Sequence, residues 1–181
     1  RVKDTSVAIP KILMAARLDE KYKGIINFLE ALSNKQIKMI KLLIAGEGVD
    51  KRKIEELIET RQLQDHVVLL GQLSEAELAQ VYSEVDAFCL SSFSDPSPLS
   101  VIEALQWGLP LFISQRCGNH FEAVIQGANG LTFNPLDADE IAYSFDEFMG
   151  LRHKWDEMGK HSSKVFKETF SKSVIIDNFV K

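Results

Sequence analysis

The sequence predicts a doubly wound α/β domain, with a Rossmann-like parallel sheet of about six strands and a C-terminal helical tail. Three observations predict it. Short apolar runs, too brief for buried helices, recur along residues 10–150. Between them lie longer segments whose apolar residues repeat at helical spacing. Glycine-bearing turns follow several of the apolar runs. Strands joined by helices of this length form parallel sheets with right-handed crossovers.

Each element follows from its residues. Lys11-Ile-Leu-Met-Ala-Ala16 reads as a strand buried on both faces. Ile25, Ile26, Phe28, Leu29 and Leu32 give residues 24–32 one apolar stripe, hence a helix. Met39–Ala45 is a second strand, stopped by Gly46-Glu-Gly48. Lys51–Leu63 is an amphipathic helix with Ile54, Leu57 and Ile58 inward. His66–Leu70 is a third strand, ended by Gly71. Ser74-Glu-Ala-Glu77 has the spacing of a capping box and opens a helix. Val85–Leu90 is a fourth strand. Leu99–Trp107 is a helix closed by Gly108 and Pro110. Leu111–Ser114 is a fifth strand, Phe121–Ile125 a short helix and Gly130–Phe133 a sixth strand. Asp137-Ala-Asp-Glu140 opens a helix through Phe148. Residues 1–150 thus form the expected sheet domain. Residues 151–181 form a helical tail that packs on it or crosses to another domain, and Val165, Phe166, Phe170, Val174, Ile175 and Phe179 are expected to leave apolar surface.

Composition excludes several classes. Apolar residues make up 45% and charged residues 26% of the 181, ordinary globular values that argue against disorder. The net charge of −5 disfavours a broad nucleic-acid surface but permits a small basic pocket. No apolar run approaches the ~20 residues of a membrane span, and the amino end lacks a signal-peptide core. Cys89 and Cys117 fall short of a disulfide or zinc framework, so a reducing, cytoplasmic setting is expected. The chain does not begin with Met, and it reads as a piece of a longer polypeptide.

In doubly wound sheets, ligands sit beyond the carboxyl ends of the strands. The segments there are 17–24, 46–49, 91–100 and 115–122. In the third, Ser97 is placed to cap the following helix, with Pro98 at its first position. The Leu99 and Ser100 amides would then face an anion. Asp95 precedes that helix, and Glu103 lies a turn inside it among apolar neighbours, where a carboxylate needs a hydrogen-bond partner. A ligand diol would serve, and so would a nearby protein group. Arg17 and Lys23 bracket the first loop, and two such cations can clamp a diphosphate. Asp137-Ala-Asp139 has the look of a metal motif, but its position suits a helix cap. No nucleophile elbow, phosphate-binding Gly-Lys-Ser loop or complete dinucleotide fingerprint is present.

Together these segments resemble the donor-binding, C-terminal half of retaining glycosyltransferases with the GT-B fold, the group often called family four. Ala16-Arg-Leu…Lys23-Gly24 resembles that family's Gly-Arg-Leu…Lys-Gly loop. Leu43-Ile-Ala-Gly46-Glu-Gly48 resembles its second strand and glycine turn, and Val67-Val-Leu-Leu-Gly71 the strand before the base-binding loop. Asp95 and Glu103, with seven residues between, match its paired acids, continued by Ala-Leu-Gln-Trp-Gly108-Leu-Pro110. Gly118-Asn-His-Phe-Glu122 resembles its Gly-Gly-x-x-Glu loop, and Asn129-Gly-Leu…Asn-Pro135-Leu-Asp137 its closing segment.

The resemblance implies transfer of a hexosyl group from a nucleoside-diphosphate sugar to a hydroxyl, with retention and without a metal or other cofactor. Arg17 and Lys23 would hold the diphosphate and Asp95 would contact the sugar. Glu103 would bind the ribose, the Leu99 and Ser100 amides a phosphate, and Gly46, Gln72 and Leu73 would flank the nucleotide. Gly118 and Asn119 would border the donor sugar. The resemblance further implies an acceptor-binding N-terminal domain outside this chain, so that the fragment alone is expected to transfer no sugar. It implies a role in polysaccharide assembly, with peripheral contact of the full protein at the inner face of the membrane. This sequence departs from the pattern at Asp95, where glutamate is usual, at Pro96 and Pro98, which replace glycines, and at Asn119, which replaces another. Those departures keep two other readings open, a non-catalytic nucleotide- or partner-binding module and half of a sugar-nucleotide epimerase.

Overall fold

The computed structural model describes residues 8–171. Six parallel strands form one sheet: β1 (Lys11–Ala15), β2 (Lys41–Ala45), β3 (Val67–Gly71), β4 (Ala87–Leu90), β5 (Leu111–Ser114) and β6 (Gly130–Phe133). Their spatial order is β3-β2-β1-β4-β5-β6, every neighbouring pair parallel. This is the doubly wound sheet that the sequence predicts. The direction of winding reverses between β1 and β4, which opens a crevice at their carboxyl ends. Leu13 sets the register there, opposite Leu43 on one side and Phe88 on the other.

The helices are α1 (Glu20–Lys23), α2 (Ile25–Ala31), α3 (Asn34–Ile37), α4 (Lys51–Thr60), α5 (Glu75–Glu84), α6 (Leu99–Gln106), α7 (His120–Ala123), α8 (Ala138–Gly150) and α9 (Trp155–Val165). The turns α1 and α3 are additional to the expected elements. Side-chain caps fix several boundaries. Ser74 accepts from the Glu77 amide while the Glu77 carboxylate accepts from the Ser74 amide at 2.8 Å, the reciprocal cap expected from their spacing. Ser74→Ala should lower stability by about 1 kcal/mol, read as a shift in the urea midpoint without a change in slope. Asp137 caps α8 through the Glu140 amide at 3.0 Å, so Asp137-Ala-Asp139 is a helix start. At the far end of α2, the Arg61 guanidinium donates to the carbonyls of Leu29 and Leu32.

The core lies on both faces of the sheet. β4 and β5 are buried along their whole length, as strands flanked by helices must be. Phe112 on β5 anchors one face, its ring centroid 4.5 Å from that of Phe133 and 5.2 Å from that of Phe148. After α8, a 3-10 turn (Arg152–Lys154) leads into α9, which packs against α6. There the Ser162 hydroxyl donates to the Leu109 carbonyl at 2.7 Å. The tail therefore departs from one expectation: Val165 is buried, and Phe166 and Phe170 pack against the core instead of leaving apolar surface. Val174, Ile175 and Phe179 lie outside the described residues.

Candidate functional site

The crevice is shaped first by two loops that interlock. The Ala16 amide donates to Ala45 at 3.0 Å, Leu18 to Glu47 at 2.9 Å, and Asp50 back to Leu18 at 3.0 Å. Gly46 makes this approach feasible. A Cβ built there would fall 1.9 Å from the Ala16 carbonyl oxygen, and its φ of +140° suits glycine alone. Leu18 is fully buried by the interlock, which turns the neighbouring Arg17 outward to solvent. Arg17 makes no ion pair or side-chain hydrogen bond among the described residues. Its guanidinium is an unspent cation at the rim of the crevice.

The opposite wall is α6. Its start differs from the expectation: Pro98, not Ser97, is the N-cap residue, with extended φ −65° and ψ 115°, and no side chain caps the helix. With ψ at 115° Pro98 is itself outside the helical range, so the helix begins one residue later than a Ser97 cap requires. The Leu99 and Ser100 amides are therefore the first of the helix and lack intrahelical acceptors. With the helix dipole behind them, they offer an anion two free donors.

Glu103 sits one turn further along, half-buried. Its carboxylate accepts a hydrogen bond from the Tyr82 hydroxyl at 3.0 Å, and that hydroxyl also lies 3.2 Å from the Ser100 carbonyl. Burial, and then the Glu103 charge, push the phenol above its ordinary range, so it remains a donor. Tyr82 was not singled out in the sequence. It sits on α5, and only the packing of α5 on α6 brings it to Glu103. Because one carboxylate has about four acceptor positions, the Tyr82 bond orients Glu103 and still leaves it open to a ligand diol. Tyr82→Phe should raise the dissociation constant for a nucleoside diphosphate about fivefold by loosening Glu103. Calorimetry checks this, and an unchanged constant would remove Tyr82 from the site.

One cleft of about 450 Å³ gathers Arg17, Gly46, Gln72, Leu73, Leu99, Ser100 and Glu103. Seven of the expected site residues thus share one cavity, of a size ordinary for small-ligand sites. Ala15, Ala45, Glu47 and Leu78 also line it, and none of them stood out in the sequence. The alanines follow a simple signal: small residues end the first two strands, where a ligand must approach backbone.

Lys23, Asp95, Gly118 and Asn119 do not line that cleft. They lie at the end of α1 and on two adjoining loops, which are stitched together mainly through backbone. The Phe93 and Ser94 amides donate to the Tyr22 carbonyl at 2.8 and 3.2 Å, and the Ser91 hydroxyl donates to the Lys23 carbonyl at 2.8 Å. The Gly118 amide donates to the Asp95 carbonyl at 2.7 Å. A Cβ on Gly118 would lie 2.0 Å from the Pro96 carbonyl oxygen, so the loops touch through their main chains. Asn119 is buried and donates to the Pro98 carbonyl at 3.2 Å, supporting the start of α6. The Lys23 ammonium and the Asp95 carboxylate are paired with each other.

Other candidates resolve differently. Burial, then Asp95, pushes the Cys117 thiol up to about 12, so it stays protonated at neutral pH. Cys89 is fully enclosed, a small core residue as expected. His66 and His161 bond the carbonyls of Ile40 and Ala128, which are structural contacts. His120 bonds the Cys117 carbonyl and lines a separate cleft with Phe121. Another cleft, also of about 450 Å³, lies at the amino ends of β4 and β5 beside Trp107 and Trp155. None of the expected site residues lines it, and the first turn of α9 there carries Asp156, which disfavours an anion. Among the described residues no group of three or more His, Cys, Asp or Glu is placed to hold a metal ion, and no helix is long and apolar enough to cross a membrane.

Comparison with known proteins bears on the fold and the family. The chain is 25% identical over 130 residues to an alpha-monoglucosyldiacylglycerol synthase of Acholeplasma laidlawii, an alignment covering 71% of this chain and 31% of that protein. The crystal structure of sucrose-phosphate synthase from Thermosynechococcus elongatus superposes with a TM-score of 0.81 at 28% identity, over 94% of this chain and 43% of the other. The pneumococcal O-GlcNAc transferase GtfA, solved with UDP and GlcNAc, superposes with a TM-score of 0.79 at 21% identity, over 92% of this chain and 34% of that one. The sheet is therefore one Rossmann-like half of a GT-B architecture, and the chain spans less than half the length of each of these proteins. The model of the family described as "Glycosyl transferases group 1" matches residues 6–165, and the chain belongs to that family.

Proposed function

We propose that this chain is the donor-binding half of a glycosyltransferase that moves a hexosyl group from a nucleoside-diphosphate sugar to a hydroxyl, with the anomeric configuration retained. The observation that carries the reading is the convergence of an unpaired guanidinium, two free helical amides and an oriented carboxylate on one cleft. Arg17 and the amides of Leu99 and Ser100 receive the diphosphate, and Lys23 approaches it from the adjoining loop. Glu103 accepts from the ribose hydroxyls, and the base lies along Gln72 and Leu73. Asp95, Gly118 and Asn119 border the sugar.

The chemistry follows from where charge develops. As the glycosidic bond breaks, negative charge gathers on the departing phosphate and positive character on the sugar ring. Fixed cations and amide dipoles aimed at the phosphate lower that barrier without reorganising. The reading needs no metal, because Arg17, Lys23 and the start of α6 supply the positive field. Retention follows where the acceptor hydroxyl attacks from the face that the diphosphate leaves, with the diphosphate taking its proton. The acceptor is supplied by a further domain of a longer protein, so the chain alone binds donor and transfers nothing.

Titration of the chain with UDP, GDP and ADP by calorimetry tests the reading. GtfA was solved with UDP, which makes UDP the first ligand to try. One of the three should bind, and Glu103→Ala should weaken it. Absence of binding by all three at millimolar concentration would overturn the donor-binding role. Incubating the longer protein with donor alone separates transfer from epimerisation, since an epimerase would convert the sugar without any acceptor.

A further inference from the structure

The two basic residues of the site are in different states. Arg17 carries no ionic partner among the described residues, whereas Lys23 is neutralised by Asp95. That pair is sheltered, its side chains only 18% and 13% exposed, so water screens it less than a surface pair. Neither end can drift far. The Lys23 amide donates to Asp19 at 2.8 Å and its carbonyl accepts from Ser91 at 2.8 Å. Asp95 is clamped by the Gly118 amide at 2.7 Å and by its own amide to Arg116 at 3.3 Å, and Pro96 stiffens the residue after it. The neighbouring Cys117 is a neutral thiol and offers Lys23 no competing charge. Among the described residues, neither Lys23 nor Asp95 has another ionic partner.

We propose that Asp95 is a positioning residue for Lys23 and that the pair discriminates donor from product. In the empty site the carboxylate holds the ammonium. When a sugar nucleotide enters, Lys23 exchanges Asp95 for the diphosphate, and Asp95 accepts a hydroxyl of the sugar instead. Every charged group then keeps a partner. A nucleoside diphosphate without sugar takes Lys23 but gives Asp95 nothing, which leaves a sheltered carboxylate unpaired. Asp95 recaptures the lysine, and the product is displaced. This rests on the donor-binding reading and adds to it a role that Asp95 performs before any sugar is present.

The test measures binding of UDP, GDP and ADP, and of the UDP-, GDP- or ADP-glucose matching whichever binds, to the wild-type chain and to Asp95→Asn, Lys23→Gln and the double variant. Asp95→Asn should tighten the bare nucleoside diphosphate about fivefold, the worth of a pair of this exposure, and abolish the preference for the sugar conjugate. In the Lys23→Gln background, Asp95→Asn should change affinity for the bare nucleoside diphosphate less than about twofold. An equal gain in both backgrounds would mean simple repulsion between Asp95 and phosphate, and would overturn the exchange. No gain in either background would overturn it too. Asp95→Ala serves the same comparison if the asparagine variant does not fold. Acetylation of Lys23 by acetic anhydride, followed by mass spectrometry, gives a second reading: the wild type should react more slowly at Lys23 than at exposed Lys35, and equal rates would refute the pairing. If no nucleoside diphosphate binds the wild type while Lys23 is protected, the donor-binding reading fails and the pair stands as a structural contact.

Discussion

Arg17→Ala should leave the melting temperature unchanged and weaken nucleoside-diphosphate binding about 10- to 100-fold. The side chain is exposed and makes no ion pair or hydrogen bond among the described residues, so its loss costs the fold nothing. Its proposed role is confined to the ligand, where a charged, forked donor meets phosphate oxygens. If the proposed transfer takes place in a longer protein, the same change there should lower turnover about 100- to 1,000-fold, the usual cost of one contact to developing charge. Arg17→Lys should recover part of the affinity, because it keeps the charge but loses the bidentate geometry. Calorimetry and a thermal melt on the same samples check both halves. Wild-type affinity in Arg17→Ala would remove the cation on which the proposed diphosphate site depends.

Gly46→Ala should cost about 3 kcal/mol, a fall of roughly 6–12 °C in melting temperature for a chain of this size. Two independent penalties act there. The new Cβ would sit 1.9 Å from the Ala16 carbonyl oxygen, which is backbone and cannot rotate away, and a φ of +140° is unfavourable for any side chain. Relief requires β1 and β2 to part at their carboxyl ends, where the Ala16 amide bonds Ala45. Arg17 would move with them, so nucleotide binding should fall together with stability. Gly150→Ala is the control. Nothing lies within 4 Å of a Cβ at Gly150, and its place at the end of α8 accepts alanine, so that variant should melt no lower than the wild type. A Gly46→Ala chain as stable as Gly150→Ala would show that the loops are looser than their hydrogen bonds indicate.

Much of this protein was legible in sequence because its signals are local. A strand buried on both faces must be apolar along its middle, so residues 12–14 and 111–113 announce themselves by composition. The Ser74–Glu77 cap is legible because both partners lie within one turn. The Ser33–Gln36 cap of α3 is equally local and has the same spacing. The α1 turn is different. Its first amide, at Glu20, is held by the Asp50 carboxylate at 2.9 Å, thirty residues away, and no window of sequence shows that. Ser97 does not cap α6 because Pro98 takes a non-helical ψ of 115° and shifts the helix start by one residue, which its propensity for the first helical position does not reveal.

The sequence by itself determined the parallel sheet, the family resemblance and which residues reach the carboxyl edge of the sheet. These depend on periodicity and on spacing along one chain. Only the tertiary structure decided which of those residues have partners. It gave Glu103 a tyrosine from another helix, gave Lys23 the carboxylate of Asp95, and left Arg17 with no ionic partner among the described residues. The physical reason is that a charge is chemically available only when no neighbour neutralises it. Neighbours seventy residues distant are set by how helices pack on a sheet, and no local pattern records them.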